Sequence, residues 1–231
     1  MPDNYVKLAV FDCDGTIVDS QHSIIHSMHA AFTRYGLPKP SRDSIRRVIG
    51  LPLAQSFAIL APDESPTRHD QLRQAYSDSW HDLHSAEGLS EPLYPGVREV
   101  LEILEADGWL LGVATGKSHR GLVMTLEKHG LFDRFITLQT SDRARGKPHP
   151  EMLFNAMNES GAAASNTVMI GDTTYDIEMS VNAKTRAIGV AWGYHSVKEL
   201  LKSGAEVVLT NFSELPSTLA QNTETENEPL D

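Results

Sequence analysis

Two stretches of the sequence put carboxylates where apolar runs end. "FDCDGT" (11–16) sets Asp12 and Asp14 on either side of Cys13, and Gly15 then turns the chain sharply. Two carboxylates this close repel each other. A divalent cation lowers that cost and favours Asp12 as the anion. A capped turn uses the same residue types, but the apolar run that ends on Asp12 favours chemistry. "MIGDTTYD" (169–176) repeats the arrangement: Asp172 closes an apolar run and Asp176 follows one helical turn later. Hard oxygen ligands from separate strand ends are what Mg²⁺ prefers. Acids in the first turn of a helix are the plainer reading of this stretch alone. Beside Asp12, Asp172 reads as a metal ligand and Asp176 as a group supporting it from behind.

Two further stretches are weaker alone. In "RARGKPHPE" (143–151), Pro148 holds Lys147 extended in a loop before a helix, where a solvated lysine is the default. "LLGVATGKSHRG" (110–121) nearly spells a P-loop. That loop needs four residues between its glycines, whereas Gly112 and Gly116 enclose three, and Gly112 sits inside the strand pattern. The P-loop reading therefore fails. Thr115 at a strand end, Gly116 and a helix start near Ser118 remain. They offer a hydroxyl and free backbone N–H groups that suit a phosphate oxygen, or else a helix cap. Lys117 is left as a surface or rim charge.

These residues need a scaffold, and the apolar pattern supplies one. Short runs rich in Val, Ile and Leu at 5–12, 109–115, 134–140, 167–172, 186–191 and 206–211 read as buried parallel strands. Helical stripes lie between them, such as Val97, Val100, Leu101 and Leu104 ahead of Gly108, or the stretch from Pro150 to Gly161. The alternation predicts an α/β fold: a Rossmann-like parallel sheet with helices on both faces. Between about 20 and 91 the patterns are only helical. One helix would bury Ile24, Ile25, Met28, Ala31, Phe32 and Tyr35, another Leu72, Ala75, Tyr76, Trp80 and Leu83. This predicts a helical cap (20–91) inserted into an α/β core (1–19 and 92–218), with the return near "SEPLYPG" and a disordered tail at 219–231.

Composition narrows the partners. The chain has 231 residues and a net charge of −11, so nucleic acid is not an expected partner, and a small anionic substrate needs a local cation. Its one cysteine, Cys13, excludes an internal disulfide framework and reads as a small core residue. No signal peptide or membrane span is expected, and the cytoplasm suits this chain. No pattern specifies an oligomeric state. Arg46 and Arg47 could bind a substrate carboxylate or second phosphate, although a solvated face is the plainer reading. His22, His26 and His29 share one helical face at zinc-like spacing, but a further ligand is missing and a polar face explains them. Ile17 to Ser20 lead from core to cap and suit a hinge.

D-x-D-G-T, a strand-end Thr, Lys-Pro in a loop and G-D-x-x-x-D occur in that order. Together they resemble the four motifs of the haloacid dehalogenase-like hydrolase superfamily, across about residues 5–215. The helical insertion is similar to the cap of its phosphoglycolate phosphatase and β-phosphoglucomutase branch. The resemblance implies a Mg²⁺-dependent phosphatase of a small phosphorylated metabolite, with phosphoglycolate the leading specific candidate. It implies Asp12 as nucleophile and metal ligand. Asp14 would be general acid and base, with its backbone carbonyl on the metal. Thr115 and the Gly116 amide would hold the phosphoryl group, Lys147 would offset charge, Asp172 would bind Mg²⁺ and Asp176 would support it. Arg47 is a weaker substrate-binding candidate. Lys184 departs from the family's usual glycine. A β-phosphoglucomutase-like mutase is the nearest alternative. A receiver-like phospho-aspartate signalling domain is the alternative from outside enzymes, and the insertion and Asp14 speak against it.

Overall fold

The structure, a computed structural model, describes residues 5–85 and 91–224, with side chains described as far as 220. Among the described residues there are six strands: β1 (Lys7–Phe11), β2 (Trp109–Thr115), β3 (Phe135–Thr140), β4 (Thr167–Gly171), β5 (Arg186–Val190) and β6 (Val207–Leu209). Each falls on one of the expected apolar runs. They pair in parallel in the order β3-β2-β1-β4-β5-β6. The chain builds outward from β1 on one side and then returns to build on the other. β1 is thus the switch point, where the carboxyl ends of such sheets bind ligands.

Successive residues of β1 face opposite sides, as the period of two requires. Ala9 and Phe11 join the apolar cluster under α5 (Val97–Ala106) and α6 (His119–Lys128). Leu8 and Val10 join the cluster under α7 (Glu151–Ser160) and α8 (Thr174–Ala183). Helices on both faces explain why the strands read as continuous apolar runs. α7 runs from Pro150 to a left-handed Gly161, as the sequence suggests. Cys13 is fully buried in the first cluster, and burial pushes its thiol up, so it is a core residue.

The interval after β1 holds α1 (Gln21–Arg34), α2 (Arg42–Val48), α3 (Leu53–Leu60) and α4 (Pro66–Ser85). Their apolar stripes meet in a cluster that includes Ile24, Met28, Phe32, Phe57, Leu72, Tyr76 and Trp80. Tyr35 and Leu83 are half-buried rather than core. The outgoing and returning strands lie side by side, with Val18 bridged to Leu93 and the Tyr94 N–H donating to the Ile17 carbonyl at 2.9 Å.

The expectation of a tail from 219 changes. The chain does not end its order at 218: α10 (Leu215–Glu224) follows α9 (Val197–Ser203) and β6, and Leu219 is buried against the core. Leu215 and Leu219 are one helical turn apart, enough to hold that helix on the first cluster. Residues 225–231 lie outside those described. Lys184 caps the C-terminus of α8 at φ 59° and ψ 33°, the left-handed conformation that glycine adopts more cheaply.

Candidate active site

The site lies where β1, β2 and β4 end. Asp12 follows β1 directly, and its N–H donates to the Ile170 carbonyl at 2.9 Å, so the carboxylate is tied to the sheet. Asp172 follows β4. Its Oδ1 accepts from Thr16 Oγ1 at 2.8 Å and its Oδ2 from the Tyr194 N–H at 2.9 Å. Gly15 passes so close that a Cβ there would strike Asp172, and its φ is +87°. Both facts demand glycine after the second aspartate. Asp176 belongs to a capping box at the start of α8: its Oδ2 accepts from the Thr173 N–H and hydroxyl at 3.0 and 2.7 Å. That leaves Oδ1 for the site.

Lys147 reaches into this group and is fully buried. Its Nζ lies 2.8 Å from Asp12 Oδ1 and 2.5 Å from Asp176 Oδ1. It is not a solvated loop lysine. Its peptide bond to Pro148 is cis. Burial works against the Lys147 ammonium, but Asp12 and Asp176 together outweigh it and raise its pKa above the ordinary lysine value. Asp14 turns the other way: its Oδ1 accepts from Ser20 Oγ and from Lys117 Nζ, the latter at 2.6 Å.

Lys117 is thus a correction. It is not a rim charge but is nearly buried, paired with Asp14 and 5.4 Å from the centroid of the Trp80 ring in α4. Burial opposes its charge, and Asp14 more than restores it. The sequence does carry a signal, since Lys117 directly follows Thr115-Gly116 at a strand end.

Thr115 closes β2, buried, and its Oγ1 accepts from the Lys117 N–H at 3.2 Å, which leaves the hydroxyl hydrogen to donate. A Cβ on Gly116 would sit 2.8 Å from the Gly50 carbonyl and 2.9 Å from that of Leu51, so the cap loop rests on this glycine. Asp12, Asp14, Thr115, Gly116 and Lys117 line one cavity of about 90 Å³, roofed by α1, α4 and the loop after α2. Arg47 is not brought to it: its guanidinium pairs with Glu199 at 2.6 Å on the exposed side. Arg46 donates to the Gly193 carbonyl at 3.4 Å. His22 and His26 are exposed, and His29 faces the Pro40 carbonyl at 3.0 Å. Sequence reading missed Ser20, Tyr194 and the buried His84–Glu91 pair (2.8 Å), because nothing in their local spacing marks them.

Asp12, Asp172 and Asp176 each offer an oxygen within 4.8 Å of the others. They fit a hard divalent cation. Asp12 Oδ2 is buried without a hydrogen-bond partner, and four carboxylates face two ammonium groups. Without a cation, burial first and then the neighbouring Asp176 and Asp14 push the Asp12 carboxyl up to about 7 despite Lys147. Burial, Asp12 and Asp176 raise Asp172 as well. A carboxyl raised on folding contributes stability below the ordinary carboxylate range and loses it as pH climbs through its folded pKa. The cation-free protein therefore loses this contribution between about pH 4 and pH 7. Mg²⁺ is expected to raise the melting temperature by about 5 °C or more at pH 8 and by clearly less at pH 5. Thermal melts with and without MgCl₂ check this; equal shifts at both pH values would contradict it.

A parallel sheet with this acidic floor and a helical roof fits a hydrolase of the phosphatase class. More particularly, the haloacid dehalogenase-like hydrolase model matches residues 9–190, and the chain belongs to that family. It is 38% identical to the probable phosphatase IndB of Dickeya dadantii, over 90% of this chain and 91% of that one. It is 30% identical to the pyrophosphatase PpaX of Bacillus pumilus (93% and 97% covered). It is also 30% identical to a phosphoglycolate phosphatase of Vibrio parahaemolyticus (93% and 96%). The crystal structure of a hydrolase from Pseudomonas syringae shares the fold, with a TM-score of 0.83 at 22% identity over 93% of this chain and 98% of that one. Family membership displaces the receiver reading. Among the described residues no helix is long and apolar enough to cross a membrane.

Proposed function

We propose that the protein is a Mg²⁺-dependent phosphatase that hydrolyses a small phosphorylated metabolite in the cytoplasm, through an aspartyl-phosphate on Asp12. The observation that carries this is the partnerless Asp12 Oδ2, buried at the floor of a cavity that Asp14, Thr115 and Gly116 also line. Bound Mg²⁺, held by Asp12 and Asp172 with the Asp14 carbonyl and supported by Asp176, would supply positive charge against the substrate's anionic oxygens.

Asp12 attacks phosphorus, forming a new P–O bond as the bond to the substrate oxygen breaks. Asp14 gives its proton to the departing alkoxide. It then takes a proton from the water that attacks the aspartyl-phosphate, releasing phosphate and restoring Asp12. The Thr115 hydroxyl and Gly116 N–H donate to the transferring oxygens, and Lys147 stabilises charge on Asp12 and the phosphoryl group. Ile17 to Ser20 provide the hinge by which the cap (20–91) admits substrate.

The test is phosphate release from a metabolite panel with Mg²⁺ and with a chelator, beginning with phosphoglycolate and pyrophosphate. Acid-quenched samples are searched by mass spectrometry for phosphate on the Asp12 peptide. Interconversion of glucose phosphates without release would instead indicate a mutase. No Mg²⁺-dependent release from any substrate would sink the proposal.

The geometry also ranks two substitutions. Thr115→Ala removes one donor and Lys117→Ala leaves Asp14 to Ser20 alone. Each is expected to lower kcat by about 10- to 100-fold, with the Lys117 effect not the smaller. Steady-state kinetics at saturating substrate check this, and an unchanged Lys117→Ala would return that lysine to the rim.

A further inference from the structure

The cap half of the cavity carries no charge. α1 contributes Ile24 and Met28, the loop after α2 contributes Leu51, and α4 contributes Tyr76, Trp80 and His81. Among the described residues, the charged side chains on the cavity wall are Asp12, Asp14 and Lys117, all from the core. Lys117 is already committed to Asp14 at 2.6 Å. The cap arginines are engaged elsewhere, the half-buried Arg46 with the Gly193 carbonyl at 3.4 Å and the exposed Arg47 with Glu199 at 2.6 Å. Burial pushes the Tyr76 phenol up, so it too stays neutral.

His81 adds one polar demand. Its Nδ1 lies 2.6 Å from the Ser77 carbonyl, so Nδ1 carries the hydrogen and donates. In the neutral ring Nε2 is then an acceptor. That atom is buried and has no hydrogen-bond partner. An unpaired buried acceptor is matched by a ligand that brings a donor.

We propose that the substrate's leaving group is an uncharged alcohol of a few carbon atoms. Its apolar part lies against Met28, Leu51 and Trp80, and a hydroxyl or N–H donates to His81 Nε2. This rests on the phosphatase reading above and names the substrate class of that site. A carboxylated leaving group, as in phosphoglycolate, would shed its water in this half of the cavity and meet no free cation. The size follows from the cavity, about 90 Å³, part of which the phosphoryl group takes.

Three substrates of matched length separate the possibilities: 2-hydroxyethyl phosphate, propyl phosphate and phosphoglycolate, each measured as kcat/KM with Mg²⁺. The hydroxyethyl ester is expected to exceed phosphoglycolate by about tenfold or more, and to exceed propyl phosphate by about fivefold or more. His81→Phe should bring the hydroxyethyl ester down to the propyl level. Met28→Lys, which adds a cation to the cap wall, should shift the ratio about tenfold toward phosphoglycolate. If that variant does not fold, the wild-type ratios and His81→Phe decide alone. Phosphoglycolate faster than the hydroxyethyl ester in the wild type overturns the inference while leaving the phosphatase reading intact. So does a hydroxyl preference that survives His81→Phe. No release from any of the three, or from the wider panel, overturns the phosphatase reading and this inference with it.

Discussion

Asp12→Asn is expected to lower phosphate release by at least about 10⁴-fold. The amide keeps the size of the carboxylate but cannot form an acyl phosphate, and it withdraws one oxygen anion from the cation cluster. The loss should not come from unfolding. Asp12 sits in a group where, among the described residues, four carboxylates face Lys147 and Lys117, and the carboxyl is already pushed up to about 7 without a cation. Neutralising it relieves repulsion, so at pH 8 without Mg²⁺ the variant should melt no lower than the wild type. It should also lose much of the Mg²⁺-induced gain in melting temperature. Activity near the wild-type level in purified Asp12→Asn would remove Asp12 from the role of nucleophile.

The sheet was legible because parallel strands buried on both faces need unbroken Val, Ile and Leu runs, and those runs stand out against helical stripes. The acidic floor was legible because its members come as two close pairs, Asp12 with Asp14 and Asp172 with Asp176, each directly after an apolar run. Distance along the chain hid the rest. Lys147 lies 135 residues from Asp12 and 29 from Asp176, the two aspartates it meets, and its motif alone says only that a proline follows. Lys117 looked peripheral because its partner is 103 residues away and its cover, Trp80, belongs to the cap. Trp80, Tyr76 and Met28 were readable as apolar stripe residues. That the same stripe also roofs a cavity depends on how the cap settles on Gly116, which periodicity does not encode. α10 was hidden for a different reason: among the described residues its buried side chains are two leucines, Leu215 and Leu219, within a polar stretch.

Lys147→Met is expected to cost both activity and stability. The ammonium is shared between Asp12 and Asp176, at 2.8 and 2.5 Å, with all three side chains essentially out of water. Methionine fills similar space but leaves two buried carboxylates without their cation. Removing one partner of such a group costs about 3–5 kcal/mol, which for a chain of this size lowers the melting temperature by about 6–20 °C. Phosphate release should fall by about 10³-fold or more, since the charge beside the nucleophile and the transferring group is gone. Mg²⁺ should recover part of the stability, because a cation at the carboxylates replaces some of the missing charge, and little of the rate. The charge account makes a sharper demand on the double variant. With Asp12→Asn added, one of the two stranded carboxylates is neutral, so Asp12→Asn/Lys147→Met should melt above Lys147→Met alone. Melting curves of the four proteins, all without Mg²⁺ at pH 8, close the cycle. A double variant no more stable than Lys147→Met would mean that the two groups do not feel each other across 2.8 Å, and the ion network would lose its place in both the fold and the chemistry.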